Sequence, residues 1–149
     1  MTISPIVTNL RDHPLLRRLC LDGCEGDVTG LDTVLQSDTS KITELDICRS
    51  YGSRGPMAGL TRVLQALAHR PTLAKLGLRR AHLGRVEVGL LRSALCNIPS
   101  LQSLVLTEGT LRSTALAELA SALYRNTSIK VRDLSCNDLN DMDYARLLR

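Results

Sequence analysis

The sequence predicts an α/β solenoid: a right-handed, curved horseshoe segment with a parallel β-sheet on its concave side and helices on its convex side. Three observations support this prediction. An apolar strand motif recurs at nearly constant spacing, the intervals between its copies carry a helical pattern, and three of the five prolines stand at the same distance before a copy. One strand with one helix cannot bury its apolar face alone, whereas stacked units bury a continuous core.

The strand motif has the form L-x-x-L-x-L. Its four full copies are Leu16-Leu19-Leu21, Ile42-Leu45-Ile47, Leu73-Leu76-Leu78 and Leu101-Leu104-Leu106. A fifth copy, Ile129-Arg132-Leu134, keeps the spacing but carries arginine at its middle position. The copies start at residues 16, 42, 73, 101 and 129, so the intervals are 26, 31, 28 and 28 residues and the second is three residues longer than those that follow.

The intervals between the strands predict helices, because apolar residues recur there at spacings of three and four and so share one helical face. These trios are Val28-Leu31-Leu35, Leu60-Val63-Leu67, Val88-Leu91-Leu95 and Leu116-Leu119-Leu123. Ile3, Ile6 and Leu10 extend the pattern to an N-terminal helix over residues 3–12. Pro14, Pro71 and Pro99 each stand two residues before a strand, where proline ends a helix. We therefore predict one array over residues 1–149, with an N-terminal helix followed by five strand–helix units.

Residues 111–141, LRSTALAELASALYRNTSIKVRDLSCNDLND, resemble the ribonuclease-inhibitor class of leucine-rich repeats. Similar repeats occur in ribonuclease inhibitor, the Ran GTPase-activating protein and NOD-like receptors. The resemblance extends over residues 3–149. It implies the horseshoe fold and a generic recognition surface, and it implies neither a catalytic residue nor a cofactor.

Side chains alternate along a strand, so the residues between the motif leucines should form the concave surface. The outward positions are Arg18, Cys20 and Asp22; Glu44, Asp46 and Cys48; Lys75, Gly77 and Arg79; Ser103, Val105 and Thr107; and Val131, Asp133 and Ser135. Arg49, Arg80 and Glu108 follow at the rim. We predict a protein-binding site formed by the charged residues Arg18, Asp22, Glu44, Asp46, Arg49, Lys75, Arg79, Arg80 and Asp133.

The charges of this surface and rim balance, with five basic residues against five acidic ones once Glu108 is included. The net charge of +4 is therefore spread over helices and loops. Nucleic-acid binding favours basic side chains gathered on one tract, with aromatic residues where single strands are bound, and the chain is only 2% aromatic. A protein partner is the better expectation, and the alternative is an ordinary solvated face.

The five cysteines are odd in number and scattered, so we expect reduced thiols and an intracellular, cytoplasmic protein. Cys20, Cys24 and Cys48 suggest a zinc site, but no C-x-x-C occurs, and Cys24 should point inward while the other two point outward. We expect no metal and no cofactor. No apolar stretch reaches the roughly 18 residues of a membrane span, so no membrane association is expected.

Two further groups of residues have a bland and a functional interpretation. His13, His69 and His82 lie near predicted helix ends or in a turn and are expected to be surface or capping residues. The segment YGSRGPMAG, residues 51–59, lacks the G-x-x-x-x-G-K-[ST] spacing of a phosphate-binding loop. It is better explained as the three-residue insertion, where Arg54 is a candidate for binding specificity.

The leading functional hypothesis is therefore a non-catalytic protein-interaction module or scaffold, part of a larger chain or complex. One alternative is a regulator of a small GTPase, by analogy with the Ran activator. The other is a purely structural subunit, in which convex or terminal surfaces are buried in place of the concave face.

Arg132 is the one charged residue at an inward position of the motif. A buried unpaired guanidinium is costly, so we expect this side chain to bend toward the open end of the stack and keep its charged head in solvent. The last unit is then a frayed or capping edge, or the cut end of a longer array. The alternative is that Arg132 is an acquired or engineered change that weakens the fold.

Overall fold

The computed structural model describes residues 4–53 and 55–147, in which helices and strands alternate along the chain. The elements are α1 Ser4–Leu10, β1 Arg18–Cys24, α2 Leu31–Gln36, β2 Glu44–Arg49, α3 Leu60–Leu67, β3 Lys75–Arg79, α4 Arg85–Asn97, β4 Ser103–Val105, α5 Ser113–Arg125, β5 Val131–Asp133 and α6 Asp141–Leu147. Ile3 of the predicted N-terminal helix and Arg54 of the predicted insertion lie outside the described residues.

The five strands form one parallel sheet in the order β1-β2-β3-β4-β5. Their register repeats the spacing of the sequence motif, because Leu19, Leu45, Leu76, Leu104 and Arg132 align in one row across the sheet. Each strand begins two residues after the start of its motif. The prediction of an α/β fold with a five-stranded parallel sheet and alternating helices is confirmed.

The core lies between the sheet and the row of helices. The motif leucines of β2, β3 and β4 are at most 2% exposed, and they belong to one apolar cluster with helix residues such as Leu64, Leu91 and Leu119. Each helix contacts the next one along the chain, from α1 through α6. None of the helices within residues 4–53 and 55–147 is both long and apolar enough to cross a lipid bilayer.

A left-handed residue follows four of the five strand motifs at the same motif position. Gly23, Arg80, Glu108 and Cys136 occupy it, with φ between 54° and 72°. Positive φ is uncommon for residues with a side chain, so three non-glycine examples at one position mark a turn imposed by the stack. Arg49, at this position of the second unit, ends β2 instead, and the longer second interval follows it, described at residues 50–53 and 55–59.

Arg132 is exposed, as predicted, and it lines a cavity of about 260 Å³ with Leu134, Tyr144 and Leu147. Its guanidinium Nη2 also donates a hydrogen bond of 2.8 Å to the carbonyl oxygen of Leu123. That carbonyl lies in the last turn of α5, where carbonyl groups lack partners within the helix and favour a positive charge. Arg132 therefore caps α5, which the sequence did not predict.

We expect Arg132→Met to lower the free energy of unfolding by about 1 kcal/mol, because methionine keeps an apolar stem but loses the charged hydrogen bond to α5. Urea denaturation of the variant and the parent measures the difference. Arg132→Lys is the matched control, since it retains the charge near the helix end and should lose less. An unchanged or raised stability of Arg132→Met would show that the contact with Leu123 contributes nothing.

Candidate functional site

The outward side chains of β1–β4 surround a depression of about 460 Å³, and we call this surface the outer face. Residues of three neighbouring strands supply its charges. The polar and small residues that line it are Arg18, Cys20, Glu44, Asp46, Lys75, Gly77, Arg79 and Ser103, with Val105 at one side. Five of the nine charged residues predicted from the sequence are therefore brought together here.

Glu44 is the centre of an ion-pair cluster on the outer face. One carboxylate oxygen lies 2.6 Å from Nε of Arg18 on β1, and the other lies 3.3 Å from Nζ of Lys75 on β3. The three residues share one row of the sheet, so the parallel register places them side by side. The hydrogen bond from Arg18 is the largest cause of a lowered pKa of Glu44, and the same bond raises the pKa of Arg18.

A second ion pair runs diagonally from β2 to β3. Asp46 aligns with Gly77, yet its carboxylate lies 3.0 Å from Nη2 of Arg79, two residues farther along that strand. A side chain at position 77 would collide with the Asp46 carboxylate, because even a Cβ atom there would overlap it. Glycine in the middle of β3 thus leaves the space through which Asp46 reaches Arg79.

Arg80 forms the rim beside the outer face, in a depression of about 610 Å³. Its guanidinium carbon lies 4.7 Å from the centre of the Tyr51 ring, and its Nε donates to Glu108 at 2.9 Å. The hydrogen bond to Glu108 is the largest cause of a raised pKa of Arg80. Tyr51 is 85% exposed and was not predicted as a site residue. Its only sequence signal is an aromatic residue in a glycine-rich insertion.

Arg49 does not lie on the exposed rim, and that expectation is wrong. The residue is 4% exposed, and its Nη1 donates a 2.5 Å hydrogen bond to the carbonyl oxygen of Gly55. A Cβ atom at Gly26 would lie 2.8 Å from the guanidinium, so glycine there makes room for it. Gly55 belongs to the longer connection between β2 and α3. Its hydrogen bond with Arg49 therefore attaches this connection to the end of β2.

The outward positions next to the rim are also more buried than predicted. Cys48 is 9% exposed, because Nη1 of Arg80 lies 3.6 Å from its sulfur, and burial raises the pKa of its thiol. Thr107 is 7% exposed. Cys20 is exposed, as the alternation predicts, and Cys24 is buried, as expected for a turn residue that points inward. All five cysteines are free thiols, and no three metal-ligating side chains come together among the described residues.

Asp22 and Asp133 are exposed, as predicted, and lie outside the ion-pair cluster. Asp133 accepts hydrogen bonds from the backbone N–H of Ser135 at 3.1 Å and from its hydroxyl at 2.7 Å. The hydroxyl bond is the largest cause of its lowered pKa. The three histidines are exposed, and His82 pairs with Thr110 at 3.0 Å.

These contacts make the outer face a surface of paired, partly exposed charges of both signs. No protein-family model matches this chain, and no curated protein is significantly similar to it.

Proposed function

We propose that this chain is a leucine-rich-repeat module of the ribonuclease-inhibitor class, a horseshoe segment whose outer face is its concave side. In this proposal the module is a non-catalytic scaffold that works without a cofactor in an intracellular compartment. The in-register row of motif leucines and the recurrent left-handed turn support the repeat assignment. Five free thiols suit a reducing compartment.

The partner in this proposal is a protein that binds the outer face. The observation that carries it is the ion-pair cluster around Glu44 together with the pair of Asp46 and Arg79, which arranges long side chains of opposite charge side by side on three neighbouring strands. Exposed pairs of this kind add only about 0–1 kcal/mol to stability. The pairing pre-orients the charged groups, which lowers the entropic cost of binding and favours a partner of complementary charge.

A nucleic acid fits this face less well. Glu44 and Asp46 stand between the basic residues, and Asp22 and Asp133 add negative charge on either side. A phosphate backbone laid across the sheet would meet acidic side chains on β1, β2 and β5, whereas phosphate binding needs a continuous basic tract.

We expect the double variant Lys75→Gln and Arg79→Gln to weaken a cognate complex at least about tenfold, because truncating a desolvated central charge costs a few kcal/mol. The immobilised chain is used to capture proteins from a cell extract, and each captured protein is quantified by mass spectrometry. Direct titration then gives the dissociation constant of each candidate with the parent and the double variant.

The control variant is Arg85→Gln with Arg92→Gln, which removes the same charge from exposed positions of α4. A partner of the outer face is lost from the first variant and retained by the second. If both variants bind every captured protein as the parent does, the outer face is not the binding surface. If both lose the same proteins equally, net charge and not this face controls binding.

A further inference from the structure

The far edge of β5 carries backbone groups without a described neighbouring strand. Among the described strands β5 is the last one in the sheet. Its Val131 N–H donates to the carbonyl of Gln102, and its Asp133 carbonyl accepts from the N–H of Leu106, both on the β4 side. Backbone groups of alternate residues point to opposite sides of a parallel strand. The N–H and carbonyl of Arg132 therefore point away from β4, toward the open edge.

Helix α6 already fills the place in the helix row beyond α5. The buried carboxylate of Asp143 accepts a 2.6 Å hydrogen bond from the hydroxyl of Ser113 on α5. It also accepts one from the backbone N–H of Asn140, whose side chain bonds to the N–H of Asp143 in return. This reciprocal cap fixes the start of α6 against α5.

Beyond β4 and α5, the described residues add the strand β5 and the helix α6, with no described strand on the far side of β5. The cavity of about 260 Å³ between β5 and α6 is lined by Arg132, Leu134, Tyr144 and Leu147. A second copy that stacked in the same way would bring β1 beside β5. Its α1, which precedes β1, would then collide with α6 in the helix row. An extended segment without a preceding helix has no such conflict.

On the outer face, the edge strand β5 carries an aspartate in the same row as Asp46 of β2. Asp133 shares a row with Asp46, since Asp46 aligns with Gly77, Gly77 with Val105 and Val105 with Asp133. The strand next to Asp46 is β3, which carries Gly77 in that row and Arg79 two residues later. Arg79 forms the ion pair with Asp46. A strand of the same pattern beside β5 would place its arginine near Asp133.

We propose that the edge of β5 binds an extended segment of a partner protein, which adds to the sheet as a sixth, parallel strand. The segment places an apolar side chain in the cavity beside Leu134 and a basic residue near Asp133. Backbone hydrogen bonds supply the affinity, and the alternating side chains supply the specificity. This site is separate from the outer-face proposal, and either can fail without the other.

The probe is a synthetic peptide that copies residues 70–80, RPTLAKLGLRR, because this stretch contains β3 with its glycine and arginine. In the chain, the N–H of Lys75 donates to Thr43 of the preceding strand unit, and by alternation the N–H of Gly77 points the same way. The peptide should use these two N–H groups to bind β5. The N–H groups of the peptide residues copied from Leu76 and Leu78 should point away from β5, toward solvent.

Fluorescence anisotropy of the labelled peptide with the whole chain should show saturable binding. N-methylation at the residues copied from Lys75 and Gly77 should weaken it about tenfold or more, because two backbone hydrogen bonds are lost. N-methylation at the residues copied from Leu76 and Leu78 is the matched control and should change affinity less than about twofold. Asp133→Lys should weaken binding about two- to fivefold, and a peptide with glutamate at the residue copied from Arg79 should reverse that loss.

A benzophenone on the peptide locates the site, since the sheet has a second edge at β1. Cross-links to residues 131–147 support the proposal, whereas cross-links confined to residues 18–24 overturn it. No saturable binding, or equal losses from both N-methylated peptides, also overturns it.

Discussion

Gly59→Ala is expected to lower the free energy of unfolding by about 3 kcal/mol or more, the range in which a single substitution points to a specific steric conflict. Gly59 has a φ of 80°, and a Cβ atom there would lie 2.7 Å from the backbone nitrogen of Thr29 and 2.8 Å from its Cα. These atoms have no flexible end that could move away. Two backbone hydrogen bonds fix the approach, from Val28 to Ala58 at 2.9 Å and from Ala58 to Gly26 at 2.7 Å.

Gly52→Ala is the control for the conformational part of this effect. Gly52 has the same φ of 80°, but a Cβ atom there would meet nothing within 4 Å. Its substitution should therefore show only the cost of a left-handed alanine, about 1–2 kcal/mol. Urea denaturation of both variants separates the two contributions. Equal losses would mean that the loops joined at Gly59 separate freely, against the close contact described above.

The strands could be predicted because the motif that defines them is also what packs them. Leu45, Leu76 and Leu104 recur in phase, and a parallel in-register sheet is the arrangement that buries all three in one row. The role of Gly59 could not be predicted, because nothing in its local sequence shows that residues 28 and 29 of the preceding unit lie against it. That contact depends on how two loops of different length meet.

Contacts between charged residues in the same row of the sheet could be predicted, but the diagonal contact between Asp46 and Arg79 could not. Aligning the motif copies places Glu44 between Arg18 and Lys75, so that cluster follows from sequence spacing and parallel register. The pairing of Asp46 with Arg79 depends in addition on the open space at Gly77.

At the end of β2 the alternation of buried and exposed residues fails at Cys48, which Arg80 covers. The loop that follows β2 covers Arg49, which the sequence placed at the exposed rim. The length of an insertion can be counted in the sequence, but the surface onto which it folds cannot.

Leu76→Ala is expected to lower the free energy of unfolding by about 2–5 kcal/mol, the range for a leucine truncated inside a packed core. Leu76 is 1% exposed in the central strand, with Leu45 and Leu104 beside it in register. Alanine there would leave a cavity that rigid neighbouring units cannot close. Chemical denaturation monitored by circular dichroism measures the loss, and Leu15→Ala, at a residue 79% exposed, should change stability by less than about 0.5 kcal/mol.

The position of Leu76 within the stack makes a further distinction possible. Leu19 occupies the same motif position in β1, but it is 7% exposed and has a strand neighbour on one side only among the described residues. Leu19→Ala removes the same atoms with fewer lost contacts, so its effect should be smaller than that of Leu76→Ala. A defect in a strand with neighbours on both sides weakens two strand–strand contacts, whereas one at the described edge of the sheet weakens one. Equal losses at the two positions would contradict this. They would mean that a leucine with a strand on one side contributes as much to stability as a leucine with strands on both sides.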